Sequence, residues 1–243
     1  MNGEVRLAGG DMNVVVRVGD TVRRPAEPAG VRALLQWYER VGFAGAPRFL
    51  GEDEQGREVL SYVGGEPAFA PVPSSDDVVA AVGRLLRNAH DAQAGFVPPA
   101  EPGWLGVPRS RSPEVIGHND LYWTNVVFLA GRPVALIDWE MAAPVSRALE
   151  VALAATYWAG IRIDEQLLAW GIPLDRRGER LRILCDAYGL DARQRGSLFD
   201  ELIDHRRRVI ANDAVRGTTT VETIAANLAW TEANAAELGT FLA

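Results

Sequence analysis

The sequence predicts an α+β chain in two parts, a small β-rich N-terminal part and a larger, mainly helical C-terminal part. Three observations carry this. Residues 1–63 break into short Val- and Leu-rich runs separated by glycine turns. A stretch rich in Gly and Pro, from Gly64 to Pro73, interrupts that pattern. From Ser146 onward, apolar residues recur at helical spacing. At 243 residues the chain is long enough for one large domain or for two lobes sharing a chain.

Taken in order, Glu4–Leu7 and Val14–Val18 read as strands separated by Gly9-Gly10-Asp11-Met12-Asn13. Gly19-Asp20 is a tight-turn signal, and Thr21–Arg24 is a third strand that Pro25 stops. Val31, Leu34, Leu35, Tyr38 and Val41 share one helical face, which predicts a helix over Pro28–Val41. Phe49–Glu52 and Glu58–Val63 are two further strands around Glu54-Gln55-Gly56. The domain boundary is placed after residue 63, giving parts 1–63 and 64–243. Asp76–His90 is an amphipathic helix, with Val79, Val82, Leu85, Leu86 and Ala89 on its buried face, and Phe96–Arg111 is loop. Glu114–Ile116, Val126–Leu129 and Val134–Ile137 are short strands, and helices fill the remainder.

Composition excludes several classes. Hydrophobic residues make up 48% and charged residues 23%, which is ordinary for a globular chain and excludes a disordered one. The single cysteine, Cys185, excludes an internal disulfide and a multi-thiolate metal site. No apolar run reaches the roughly 18–20 residues of a membrane helix, and no leader pattern opens the sequence. A cytosolic protein without membrane or nucleic-acid partners is expected. The net charge of −7 favours cationic partners over nucleic acid. All 25 basic residues are arginine, so chemistry that requires a lysine, such as a Schiff base, is excluded. Three scattered histidines make a zinc site unexpected, and no G-x-S-x-G elbow is present.

The chemistry concentrates in two segments, His118-Asn119-Asp120-Leu121-Tyr122-Trp123-Thr124-Asn125 and Ala135-Leu136-Ile137-Asp138-Trp139-Glu140. Asp120 and Asn125 lie in a polar loop between apolar strands, and Asp138 closes the next strand. Two carboxylates and an amide oxygen suit a hard, oxygen-preferring cation such as Mg²⁺, which takes one or two carboxylates and leaves the other free. A loop Asp to orient a hydroxyl, an Asn and a later Asp toward metal is the division of labour of phosphoryl transfer.

On these residues the chain resembles the aminoglycoside phosphotransferase and choline-kinase-like family, relatives of the protein kinases, over nearly its whole length. The resemblance implies a two-lobed protein-kinase-like fold with a nucleotide between the lobes. It implies Asp120 as the catalytic residue, His118 as the histidine bracing its loop, and Asn125 and Asp138 as Mg²⁺ ligands. Gly9 and Gly10 resemble the nucleotide-covering turn, and Ser61, Tyr62 and Val63 the hinge that meets the adenine. The family lysine that holds the α- and β-phosphates is absent. Arg23 is expected in its place, with Arg24 as the alternative, because strand alternation aims only one of them into the cleft. Its helix partner is open between Glu27 and Glu39. Asn119 stands where the family has glycine, and Glu150 where it often has aspartate.

The implied activity is transfer of the γ-phosphoryl group of ATP, or GTP, with Mg²⁺ to a hydroxyl of a small molecule. Aminoglycoside-like antibiotics, other natural products and amino alcohols are the acceptor classes, with antibiotic resistance as one role. The acceptor is expected to be cationic, from the net charge and from Asp164, Glu165, Asp200, Glu201 and Asp204. The alternative is a weak or inactive kinase-like binding module, such as a peptide-antibiotic immunity protein. Tyr157, Trp158 and Trp170 read as core, and His90 and His205 as packing or solvated helix residues.

Overall fold

A computed structural model describes residues 3–7, 14–69, 72–105, 112–212 and 220–243. The N-terminal part is one antiparallel sheet. Its strands are β1 (Val5–Arg6), β2 (Val16–Val18), β3 (Thr21–Arg24), β4 (Phe49–Glu52) and β5 (Glu58–Ser61), in the order β1-β2-β3-β5-β4. Helix α1 (Ala29–Val41) is inserted between β3 and β4. It stops because Gly42 takes the left-handed conformation, φ 77°, while the Phe43 N–H closes back on the Tyr38 carbonyl. Val31, Leu34, Leu35 and Tyr38 of its predicted apolar face are buried, but Val41, at the last position before the Gly42 cap, is 46% exposed.

Strand β5 ends two residues earlier than the sequence suggests. The Tyr62 N–H still donates to the Asp20 carbonyl opposite it, 2.9 Å, one rung past the end of the strand. The chain then crosses to a second sheet, in which β6 (Glu66–Pro67) pairs with β8 (Val126–Leu129), and β8 with β9 (Arg132–Leu136). A two-stranded ribbon joins β7 (Val115–Gly117) to β10 (Ala143–Val145). Neither β6 nor β10 is visible as a periodic run, because each is only two or three residues long and carries proline.

The helices that follow are set by their caps. Ser75 caps α2 (Asp76–Asp91), Ser146 caps α3 (Arg147–Trp158), and Asp191 with Gln194 forms a capping box on α6 (Ala192–Ala211). With α4 (Asp164–Ala169), α5 (Arg177–Tyr188) and α7 (Val221–Gly239), they pack as α2 on α5, α3 on α6 and α6 on α7. One core runs through both parts. Tyr38 of α1 meets Trp139, beyond β9, edge to face at 5.3 Å. The Leu136 N–H donates to the Gly45 carbonyl at 2.9 Å, a second tie between the parts. Among the described residues, no helix is long and apolar enough to cross a membrane.

Candidate active site

The loop between β7 and β8 holds His118, Asp120 and Asn125, and the turn after β9 holds Asp138. Ile137 fastens the two segments through its backbone. Its N–H donates to the Asn125 carbonyl at 2.9 Å, and its carbonyl accepts from His118 Nε2 at 2.8 Å. Burial holds the His118 imidazole down at about 4, and a carbonyl only accepts, so the ring is neutral with its proton on Nε2. His118 therefore braces the loop and carries no charge to the site. Asn125 Nδ2 donates to both the backbone carbonyl and Oδ2 of Asp120, each at 3.0 Å, which fixes that carboxylate.

The backbone at Asn119 explains the missing glycine. Its φ is 63°, a left-handed conformation that Asn tolerates better than most residues. Its amide group donates to the carbonyls of Gly117, Met141 and Ala143 at 3.1–3.3 Å. Glu150, fully buried on the first turn of α3, accepts from the His118 N–H at 2.8 Å and the Asn119 N–H at 3.1 Å. The α3 dipole favours that carboxylate, since its negative charge lies at the helix N-terminus. The approach requires Gly117, where a Cβ would lie 2.5 Å from Glu150 Oε2.

The third strand corrects the register of the arginine pair. Arg23 turns to Thr21 Oγ1, 2.6 Å, and toward Asp53, 3.6 Å, whereas Arg24 faces the turn after β9. The preference for Arg23 as the cleft-facing residue is thus reversed, because alternation alone fixes opposite faces without saying which is which. Arg24 donates through Nη1 to Asp138 Oδ1 at 2.8 Å and through Nη2 to Glu140 Oε2 at 3.0 Å, and it also pairs with Glu27. Glu27 is the acidic partner of this arginine, while Glu39 lies on the exposed face beside Arg48, 3.8 Å away.

Carboxylate oxygens of Glu27, Asp138 and Glu140 lie within 4.8 Å of one another around that single guanidinium. Burial, reinforced by Glu140 and Asp138, pushes Glu27 up to about 7 despite the pull of Arg24. Glu140 was not assigned from the sequence, although the D-W-E spacing beside Asp138 was a signal for it, and Glu27 was left open against Glu39. Ser61 and Tyr62 use their N–H groups on the Arg48 and Asp20 carbonyls, and the Arg17 guanidinium stacks on Tyr62 at 3.7 Å. Gly9 and Gly10 lie outside the described residues.

The arrangement holds a fixed carboxylate, Asp120, beside an amide and a carboxylate-rich pocket carrying one arginine. It can accept a proton and gather a cation and phosphate oxygens. The comparisons fall on the same segment. A model of the phosphotransferase enzyme family matches residues 104–184, which include Asp120, Asn125 and Asp138. The trifolitoxin immunity protein of Rhizobium leguminosarum bv. trifolii is 37% identical over 240 residues, 95% of this chain and 91% of that protein. Two solved structures share the fold. An amicoumacin kinase in complex with AMP-PNP and Ca²⁺ superposes with a TM-score of 0.66 at 12% identity, covering 98% of this chain and 88% of that one. A choline/ethanolamine kinase family protein from Mesorhizobium loti gives 0.62 at 17% identity, covering 99% and 92%.

Proposed function

Because this chain belongs to the aminoglycoside phosphotransferase and choline-kinase-like family, we propose that it moves the γ-phosphoryl group of ATP to a hydroxyl of a small molecule. The observation that supports the reading is the Ile137 clamp, which ties the segment carrying Asp138 to His118 and Asn125, while Asn125 in turn holds the Asp120 carboxylate. In this reading Asp120 takes the proton of the acceptor hydroxyl as its oxygen bonds to the γ-phosphorus. The bond from that phosphorus to the β,γ-bridging oxygen breaks, and ADP leaves. Asn125 keeps the Asp120 carboxylate aimed, and His118, neutral, holds the loop without adding charge.

The Asn125 amide oxygen and the Asp138 carboxylate are hard oxygen donors, the kind that Mg²⁺ prefers. Asn125 and Asp138 would hold the metal, which when bound supplies positive charge against the phosphate oxygens. Arg24 takes the role of the absent lysine, its fork matching phosphate geometry. Val63, next to the two residues whose N–H groups serve the sheet, is the proposed adenine contact, and Gly9-Gly10 the proposed phosphate cover.

A second reading, a kinase-like module that binds without transfer, rests on a specific observation. Arg24 already engages Asp138, Glu140 and Glu27 together, and a 37% identical relative is named as an immunity protein. One experiment separates the two. Thermal stabilisation by ATP is measured with and without Mg²⁺, followed by transfer to a panel of hydroxyl acceptors. Asp120→Asn should lower transfer about 10²–10⁴-fold while nucleotide stabilisation persists. Stabilisation without transfer in the wild-type protein would select the binding module.

A further inference from the structure

Beside Asp120, the C-terminal part presents an aromatic wall. Tyr122 packs edge-on against Tyr157 at 5.3 Å and Trp170 at 5.8 Å, and those two rings lie 6.0 Å apart and nearly parallel, at 32°. The negative charge of Asp120 is felt at the Tyr157 hydroxyl, which burial already pushes up. Over this wall lies Arg162, its guanidinium 4.7 Å from the Trp170 ring centre and 5.0 Å from that of Tyr157.

Arg162 is 8% exposed, its Nε has no hydrogen-bond partner, and among the described residues no carboxylate pairs with it. Arg206 adds to the positive charge. It is 6% exposed and, among the described residues, donates to neutral oxygens, the carbonyls of Asn227 and Ile161 and the Thr231 hydroxyl. Burial, then the charge of Arg162, lowers Arg206 to about 9. A buried arginine is ordinarily paired. Stacking on two rings and a side-chain hydrogen bond with Tyr157 compensate part of the lost hydration, but the five donors of a guanidinium call for more acceptors than that one hydroxyl.

Three of the five acidic helix residues that suggested a cationic acceptor are engaged with neighbours of their own. Asp164 pairs with Arg177 at 2.6 Å, Asp204 with Arg208 at 3.6 Å, and Glu201 with the Ser146 hydroxyl. Asp200 lines a groove between α6 and α7.

We propose that Arg162, flanked by Tyr157 and Trp170, is an anion-recognising residue of the acceptor subsite, and that the hydroxyl acceptor carries a carboxylate joined to a flat or apolar body. This rests on the phosphotransfer reading of Asp120. Stacking fixes the plane of the guanidinium, so its fork meets a carboxylate edge on while the rings cover the apolar body. An ammonium group at the same place would meet two arginines that, among the described residues, no carboxylate neutralises.

The test uses the full chain and three matched probes, benzoate, benzamide and benzylamine, by calorimetry. Benzoate should bind roughly ten-fold more tightly than benzamide, the scale of one charge-assisted contact. Benzylamine should bind most weakly, and benzoate affinity should fall as salt rises. Arg162→Gln should erase the preference, and Arg162→Lys, which keeps charge but loses the fork, should retain part of it. Nucleotide stabilisation and far-UV circular dichroism report folding; if Arg162→Gln does not fold, the reduced preference in Arg162→Lys decides. The idea is overturned if wild type does not bind benzoate, if benzamide or benzylamine binds as well, or if the variants keep the full preference. A parallel transfer assay with ATP and 3-(hydroxymethyl)benzoate or its carboxamide separates the two levels. Arg162-dependent carboxylate binding without turnover keeps the anion site and removes phosphotransfer. Turnover of both acceptors at equal efficiency keeps phosphotransfer and removes the anion site.

Discussion

Arg23 and Arg24 are chemically identical neighbours that the fold sends to opposite faces of β3. Arg24 reaches Asp138, Glu140 and Glu27, whereas Arg23 stays with Thr21 and Asp53. Arg24→Ala should therefore lower transfer about 10²-fold or more, by analogy with loss of one transition-state donor, with Arg24→Lys retaining part. Arg23→Ala should stay within a few-fold of wild type; steady-state rates at saturating ATP measure both. Asp138→Ala should remove the gain in nucleotide affinity that Mg²⁺ gives, because the oxygen set then loses a carboxylate. Calorimetry with and without Mg²⁺ reads this, and an unchanged gain counts against Asp138 as a ligand. Asp120, Asn125 and Asp138 stood out as candidates by their spacing, with their roles taken from the resemblance. Glu27 was one of two candidates that only its contact with Arg24 separates, and Arg162 was not singled out, since a single charged residue has no pattern until partners surround it or fail to.

At the level of elements, the site depends on how closely β7 approaches α3. Gly117 has no Cβ, so Glu150 comes close enough to hold the His118 and Asn119 N–H groups. Gly117→Ala should destabilise the protein by about 1–3 kcal/mol, the usual cost of overpacking a close contact, and should lower transfer further by displacing the loop. Urea unfolding together with the transfer rate checks this; an alanine variant of unchanged stability would mean that the contact gives way freely. Helices α1, α2 and α3 were readable because caps and 3.6-residue periodicity are local properties. Strands β6 and β10 were unreadable because two or three residues beside a proline acquire strand character only from the partner they pair with.

At the scale of the whole molecule, the core includes a histidine that the chemistry does not use. His90 is 2% exposed, with Nδ1 2.7 Å from the Tyr188 hydroxyl. Burial first, and then Arg147 and Arg87, lower it from 6.5 to about 3. The unfolded chain therefore binds a proton below pH 6.5 that the folded one refuses until pH approaches 3. Folding stability should fall as pH drops through that window, by up to about 1.4 kcal/mol per pH unit from this group. His90→Gln should flatten the slope in urea unfolding between pH 4.5 and 7.5; an unchanged slope would place the acid sensitivity elsewhere. By itself the sequence determined the α+β class and the helical stripes, and it singled out Asp120, Asn125 and Asp138 as candidates, because periodicity and loop spacing are written locally along the chain. Only the tertiary structure decided that Arg24 rather than Arg23 faces Asp138, that Glu150 anchors the loop across 31 residues from Asn119, and that Arg162 lies buried with no carboxylate paired to it among the described residues. Each of those depends on which face of one element meets another, and on the burial that results. A side chain's charge becomes costly or useful only when distant segments remove its water.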